Sequence, residues 1–80
     1  MPKNLERVAE QAVEACGRFH TSLHQWQDCA RGVNIAKRLT KKRGLKVGRK
    51  AALRVCKATE KDRGPRRRCF EGVRFFTTGV

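Results

Sequence analysis

The sequence predicts an all-α protein: a disulfide-stapled antiparallel helical hairpin with a short third helix after Gly64-Pro65. Three observations carry this reading. Apolar or small residues recur at steps of four and three through the first third of the chain. Cys16, Cys29, Cys56 and Cys69 enclose two equal intervals of twelve residues. Glycine and proline gather where helices have to stop. Eighty residues make one small domain, which buries only about 60% of the surface its unfolded chain exposes and therefore depends on staples.

The first stripe runs Leu5, Ala9, Ala12, Cys16, Phe19, Leu23, Trp26, Ala30, Val33, with Glu6, Glu10, Glu14 and Arg18 largely off it. It predicts a helix over about residues 4–31, with Gly17 as its weak point and Gly32 as its stop. The acidic residues of its first turns suit the positive end of the helix dipole. Residues 34–48, broken by Gly44 and Gly48, read as a basic loop. A second helix fits about 49–62, with Ala52, Val55, Cys56 and Thr59 on one face. Pro65 suits the first turn of a third, over about 65–76, which puts Cys69, Val73 and Phe76 on one face and leaves 77–80 as an irregular tail. No repeat is evident beyond the twin cysteine intervals.

Four cysteines permit three connectivities, and an even count in a short chain reads as a disulfide framework. Residues thirteen apart on one helix differ by about 220° in azimuth and about 20 Å in rise. Pairing within an interval would bend a helix back on itself, because a disulfide needs Cα atoms closer than about 7 Å. The expected order is therefore nested, Cys16 with Cys69 and Cys29 with Cys56, with Gly17 and Gly64-Pro65 supplying the breaks.

Net charge is +13 and unevenly placed: residues 1–30 sum to −1 and residues 31–80 to +14. From Cys29 to Thr59 eleven lysines and arginines occur without one acid, the footprint of a polyanion-facing surface. The candidate phosphate-binding residues are Lys37, Arg38, Lys41, Lys42, Arg43, Lys46, Arg49 and Lys50, with Arg66, Arg67 and Arg68 as a second contact. Phe19, Trp26, Phe70 and Phe76 share helical register with the cysteines and are expected in the core, whereas Phe75 lies off that face and is available to a partner. Cys16, His20 and His24 share a helix face but spread over about 12 Å, too far for one zinc ion. No metal or cofactor is expected. No Gly-rich nucleotide loop or paired carboxylates point to an enzyme. No apolar stretch resembles a secretory signal or is long enough to span a bilayer, so ordinary secretion and a transmembrane segment are not expected.

Trp26-Gln27-Asp28-Cys29 has an aromatic three residues before a cysteine, and Cys16-Gly17-Arg18-Phe19 places another three after one. In these features the chain resembles the coiled-coil-helix-coiled-coil-helix family of mitochondria, the twin CX9C proteins. Its intervals are twelve rather than nine, and Arg66 stands where the second motif would have its aromatic. The resemblance implies two nested disulfides, oxidation on entry to mitochondria, and a scaffold role in a large assembly. With the basic stretch, it implies a non-catalytic subunit of a mitochondrial ribosome that binds ribosomal RNA and neighbouring protein subunits. An alternative follows from residues 26–33, which are similar to a stretch of a CHCH-type subunit of complex I. That alternative is an accessory subunit on the intermembrane-space side of a respiratory complex, meeting acidic subunits or cardiolipin. A second alternative is a free nucleic-acid-binding basic protein with reduced cysteines.

Overall fold

Asn4 starts the first helix by accepting the Arg7 backbone N–H on its side chain at 3.1 Å, and Glu6 in the first turn suits the dipole. The computed structural model describes residues 4–78 and has four helices among them: α1 (Leu5–Phe19), α2 (Leu23–Arg43), α3 (Leu45–Thr59) and α4 (Arg63–Thr78). The all-α, disulfide-stapled class is as expected, but several boundaries are not. Gly17 stays within α1, beneath Trp26, whose Nε1 donates to the Val13 carbonyl at 3.3 Å. The expected basic loop at 34–48 is helix on both sides of Gly44, and the second helix ends at Thr59 rather than about 62. Pro65 does fall in the first turn of α4, which runs on through Thr77 and Thr78; the rest of the expected tail, residues 79–80, lies outside the described residues.

All four cysteines are oxidised, but in sequential order: Cys16 with Cys29 and Cys56 with Cys69, each with Cα atoms 5.7 Å apart. The nested order is thereby overturned. The physical reason is where the helix breaks. His20 is extended at φ −126° and ψ 126°, and the next helix begins after Ser22; Glu60 is likewise extended, and the next helix begins after Asp62. Each interval thus contains its own turn, so the rise expected of a continuous helix is folded back and the two ends of the interval meet.

The same spacing exposes a repeat that periodicity alone did not reveal. Adding forty residues carries Cys16, Cys29, Gly32 and Val33 onto Cys56, Cys69, Gly72 and Val73, and Leu5 and Ala12 onto Leu45 and Ala52. It also carries α1 onto α3 and the connector 20–22 onto 60–62. The fold is two stapled hairpins related by a pseudo-two-fold axis. α2 and α4 cross at its centre, and α1 and α3 each touch both of them but not each other among the described residues. Three of the ion pairs obey this symmetry. His20 meets Glu71 at 2.9 Å, and its equivalent, Glu60, accepts from Arg31 at 2.6 Å with the charges exchanged. Asp28 pairs with its own equivalent, Arg68, at 2.9 Å.

The core is built largely from small residues, Ala12, Cys16, Cys29, Val33, Ala36, Ala52, Cys56, Cys69 and Val73, with Phe76 the one aromatic ring among its buried members. Small side chains let the central helices come close, and at the crossing Gly32 faces the Cys69 carbonyl while Gly72 faces that of Cys29. Gly44 joins α2 to α3 as a single residue at φ 86°, a left-handed conformation that favours glycine. Just before it, the hydroxyl of fully buried Thr40 has no hydrogen-bond partner among the described residues. Thr40→Val keeps the shape and removes the orphaned polar group, so it is expected to raise stability by about 1 kcal/mol, read from the denaturant midpoint.

Candidate nucleic-acid interface

The C-terminal half of α2 and the whole of α3 carry most of the predicted basic residues in one exposed region, the α2–α3 ridge, with Lys41 on its α1 side beside Leu5, Glu6 and Lys37. Arg38 and Lys42 line the recess between the two helices with Ile35, Leu39 and Val55. Arg43, Lys50 and Arg54 line a second recess with Val47 and Ala51. Arg38, Lys41, Lys42, Arg43, Lys46, Arg49 and Lys50 are exposed and form no ion pair among the described residues. Arg54 and Lys57, which belong to the acid-free run but not to the candidate contacts, are exposed along α3 as well. Arg54 follows Lys50 by four residues, a spacing that places both on one helix face.

Three predicted contacts are placed differently. Lys37 turns toward α1 and holds Glu6 at 2.8 Å. The hydrogen bond from Lys37 and then its charge, with a smaller contribution from Lys41, keep the Glu6 carboxyl below its ordinary range. That tether is complete above the ordinary carboxylate range and is lost as pH falls through the depressed value. Arg66 donates to the Glu60 and Lys61 carbonyls at 3.0 and 3.1 Å, which closes the α3–α4 connector. Arg68 is committed to Asp28. Arg67 alone of the triplet is exposed, and Asp28 lies about 20 Å along α2 from Lys41. Arg66 and Arg68 therefore brace the connector and the crossing, and Arg67 is left exposed as the member of the triplet placed for a second contact.

Comparing the two halves shows what on this ridge the fold does not require. Lys46, Lys50 and Arg54 form an exposed stripe at four-residue spacing on α3, and their equivalents on α1 are Glu6, Glu10 and Glu14, also exposed. One scaffold position carries either sign of charge. α1 follows the dipole rule with Glu6 in its first turn, whereas the first turn of α3 has no acid and carries Lys46. A cation there costs about 0.3–1 kcal/mol.

The aromatic side chains also depart from expectation. Trp26 and Phe70 pack against the core and Phe76 lies within it, but Phe19 is 67% exposed and lies 5.5 Å from half-buried Phe75, ring centre to ring centre. Cys16 is consumed by its disulfide, His20 faces Glu71 and His24 is exposed, so these three do not converge on a point. No described helix is long and apolar enough to cross a membrane. Comparison with protein-family models, with curated proteins and with solved structures found no match.

Proposed function

We propose that this chain is a non-catalytic RNA-binding structural subunit that holds phosphates on the α2–α3 ridge. The observation that carries the reading is the charge reversal between equivalent helices. The fold accepts Glu6, Glu10 and Glu14 on α1, so folding does not call for Lys46, Lys50 and Arg54 on α3. The positive stripe, set against the dipole at its start, is a local rule broken in favour of binding. Flexible lysines and arginines without base-reading geometry suit backbone contact with little sequence preference. The mitochondrial ribosome is the assembly that the resemblance suggests for such a subunit, although the sequential disulfides are not the order which that resemblance implies.

The test is binding of RNA as a function of salt. If about five phosphates are engaged, the logarithm of affinity falls against the logarithm of salt with a slope of about −4.5 on a duplex and about −3.5 on a single strand. Lys46→Glu, Lys50→Glu and Arg54→Glu together give α3 the charges of α1. The triple variant is expected to fold as well as the parent, by circular dichroism and melting, and to lose on the order of 100-fold in affinity near about 0.15 M salt with a flattened slope. Undiminished binding by a folded triple variant would sink the ridge. Within mitochondria, release with ribosomal particles on ribonuclease treatment supports the ribosomal setting. Co-migration with a respiratory complex regardless of ribonuclease overturns it in favour of the accessory-subunit alternative.

A further inference from the structure

Two Arg-Phe dipeptides lie where the end of α1 meets α4. Arg18-Phe19 closes α1 and Arg74-Phe75 lies on α4, and the fold stacks the two rings at an interplanar angle of 23°. Their equivalents in the other half are Ala58-Thr59 and Asn34-Ile35. The repeat again acts as an internal control. Thr59 ends its helix as Phe19 does, and Arg63 begins one as Leu23 does, so the scaffold requires no apolar residue at those positions. Phe19 and Leu23 nevertheless stand 67% and 68% exposed.

We infer that the Phe19–Phe75 pair is a stacking platform for an unpaired base of a single-stranded RNA, with Arg18 and Arg74 placed for its flanking phosphates. The inference rests on the phosphate-binding reading and extends it from backbone to base. Three features select this occupant. The exposed apolar area of one phenylalanine and one leucine is far below the roughly 800 Å² per partner of a stable protein interface, but it matches one base. The flanks are cationic, which complements a nucleotide strand and opposes a basic protein. The recess beside Phe19 is lined by Arg74, Phe75, Thr78 and Glu71, and the Glu71 carboxylate, which faces His20 at 2.9 Å, disfavours a phosphate in the recess itself. What enters is therefore a neutral ring, with the phosphates left outside near the arginines. Leu23 and Lys41 lie about 27 Å apart along α2, so one strand must be long enough to use both the ridge and the platform.

The experiment compares the intact protein and its Phe19→Ala, Phe19→Leu and Phe19→Trp variants. Each is titrated with an RNA of about 20 nucleotides, single-stranded or fully paired in a duplex. Alanine and leucine are expected to weaken single-strand binding by about 5- to 150-fold, the equivalent of about 1–3 kcal/mol for one stacked base. Tryptophan preserves the affinity, and duplex affinity stays within about twofold for all three because a paired base offers no free face. Leucine keeps an apolar cover on Phe75, so a loss shared by alanine and leucine but not by tryptophan reports stacking and not packing. Equal losses on single strand and duplex, or none on either, overturn the platform. If the Phe19 variants leave RNA binding alone and instead abolish concentration-dependent self-association, the patch is a protein contact and the inference is wrong. Failure of the unaltered protein to bind either RNA is a different result, because it removes the phosphate-binding reading itself.

Discussion

Gly32→Ala is expected to destabilise the fold by on the order of 3 kcal/mol or more, lowering the melting midpoint by about 12–24 °C for a domain of this size. A methyl group at Gly32 would stand 2.0 Å from the Cys69 carbonyl oxygen and 2.8 Å from the carbonyl carbon. The obstruction is backbone, not the tip of a flexible side chain, and it belongs to a residue held by a disulfide, so relief requires α2 and α4 to separate along their whole crossing. Gly72→Ala is expected to do the same, since its methyl would stand 1.9 Å from the Cys29 carbonyl oxygen and 2.8 Å from the Val33 nitrogen. Gly17→Ala is the control. A methyl there would meet only Trp26 side-chain atoms, at 3.4 Å and beyond, and α1 gains the alanine helix preference of up to about 1 kcal/mol. Chemical denaturation of the three variants separates these cases. A Gly32→Ala midpoint indistinguishable from the parent would mean that the central helices do not approach as closely as described.

The helical class was legible because the stripe of α1 and the cysteine intervals are strong signals, but the position of the turns was not. The four-three alternation from Leu5 to Val33 runs unbroken across His20–Ser22, and it does so through Phe19 and Leu23, which are exposed. The continuity there was coincidental. The competing signals were Ser22 and Asp62, residue types that favour the start of a helix, forty apart in the chain. Two glycines mark the basic stretch as a loop, yet only Gly44 makes a turn. Gly48 is helical, and it is glycine because a methyl there would lie 2.7 Å from the Thr40 backbone. Lysine and arginine are good helix formers, so their density argued for helix on either side of Gly44.

The candidate site divides along similar lines. The basic run is a property of composition and was visible as such, whereas the partners of Lys37 and Arg68 are tertiary facts that composition cannot reveal. The pairing of Phe19 with Phe75 brings α1 against α4 and depends on the sequential disulfides. The repeat links fold and function because it separates what the scaffold demands in both halves, the cysteines and the crossing glycines, from what one half carries alone.

Removing one disulfide is expected to cost about 3 kcal/mol, from closure of a loop of about this length in the unfolded chain, and removing both is expected to abolish cooperative folding. A domain of this size has a total stability of about 4–12 kcal/mol, so two such losses consume most of it. Alanine is the proper replacement, because the sulfurs belong to fully buried cysteines and a serine hydroxyl in their place would lack a partner. The pairs chosen for replacement also report the connectivity. Cys16→Ala with Cys29→Ala removes one staple and leaves Cys56 bonded to Cys69, so thiol titration of the denatured, unreduced chain should find no free thiol. Cys16→Ala with Cys69→Ala cuts both staples, and because it strands Cys29 and Cys56 it should yield two free thiols and an unfolded far-ultraviolet spectrum. The nested order inverts those outcomes, with thiols appearing in the first variant and none in the second. Mass mapping of the unreduced parent provides the direct check, since a peptide joining Cys16 to Cys69 would contradict the two-hairpin fold. The same fold predicts how reduction acts on binding. Breaking the Cys56–Cys69 staple frees α3 from α4, so the ridge should lose its fixed spacing and RNA affinity should fall with the melting midpoint.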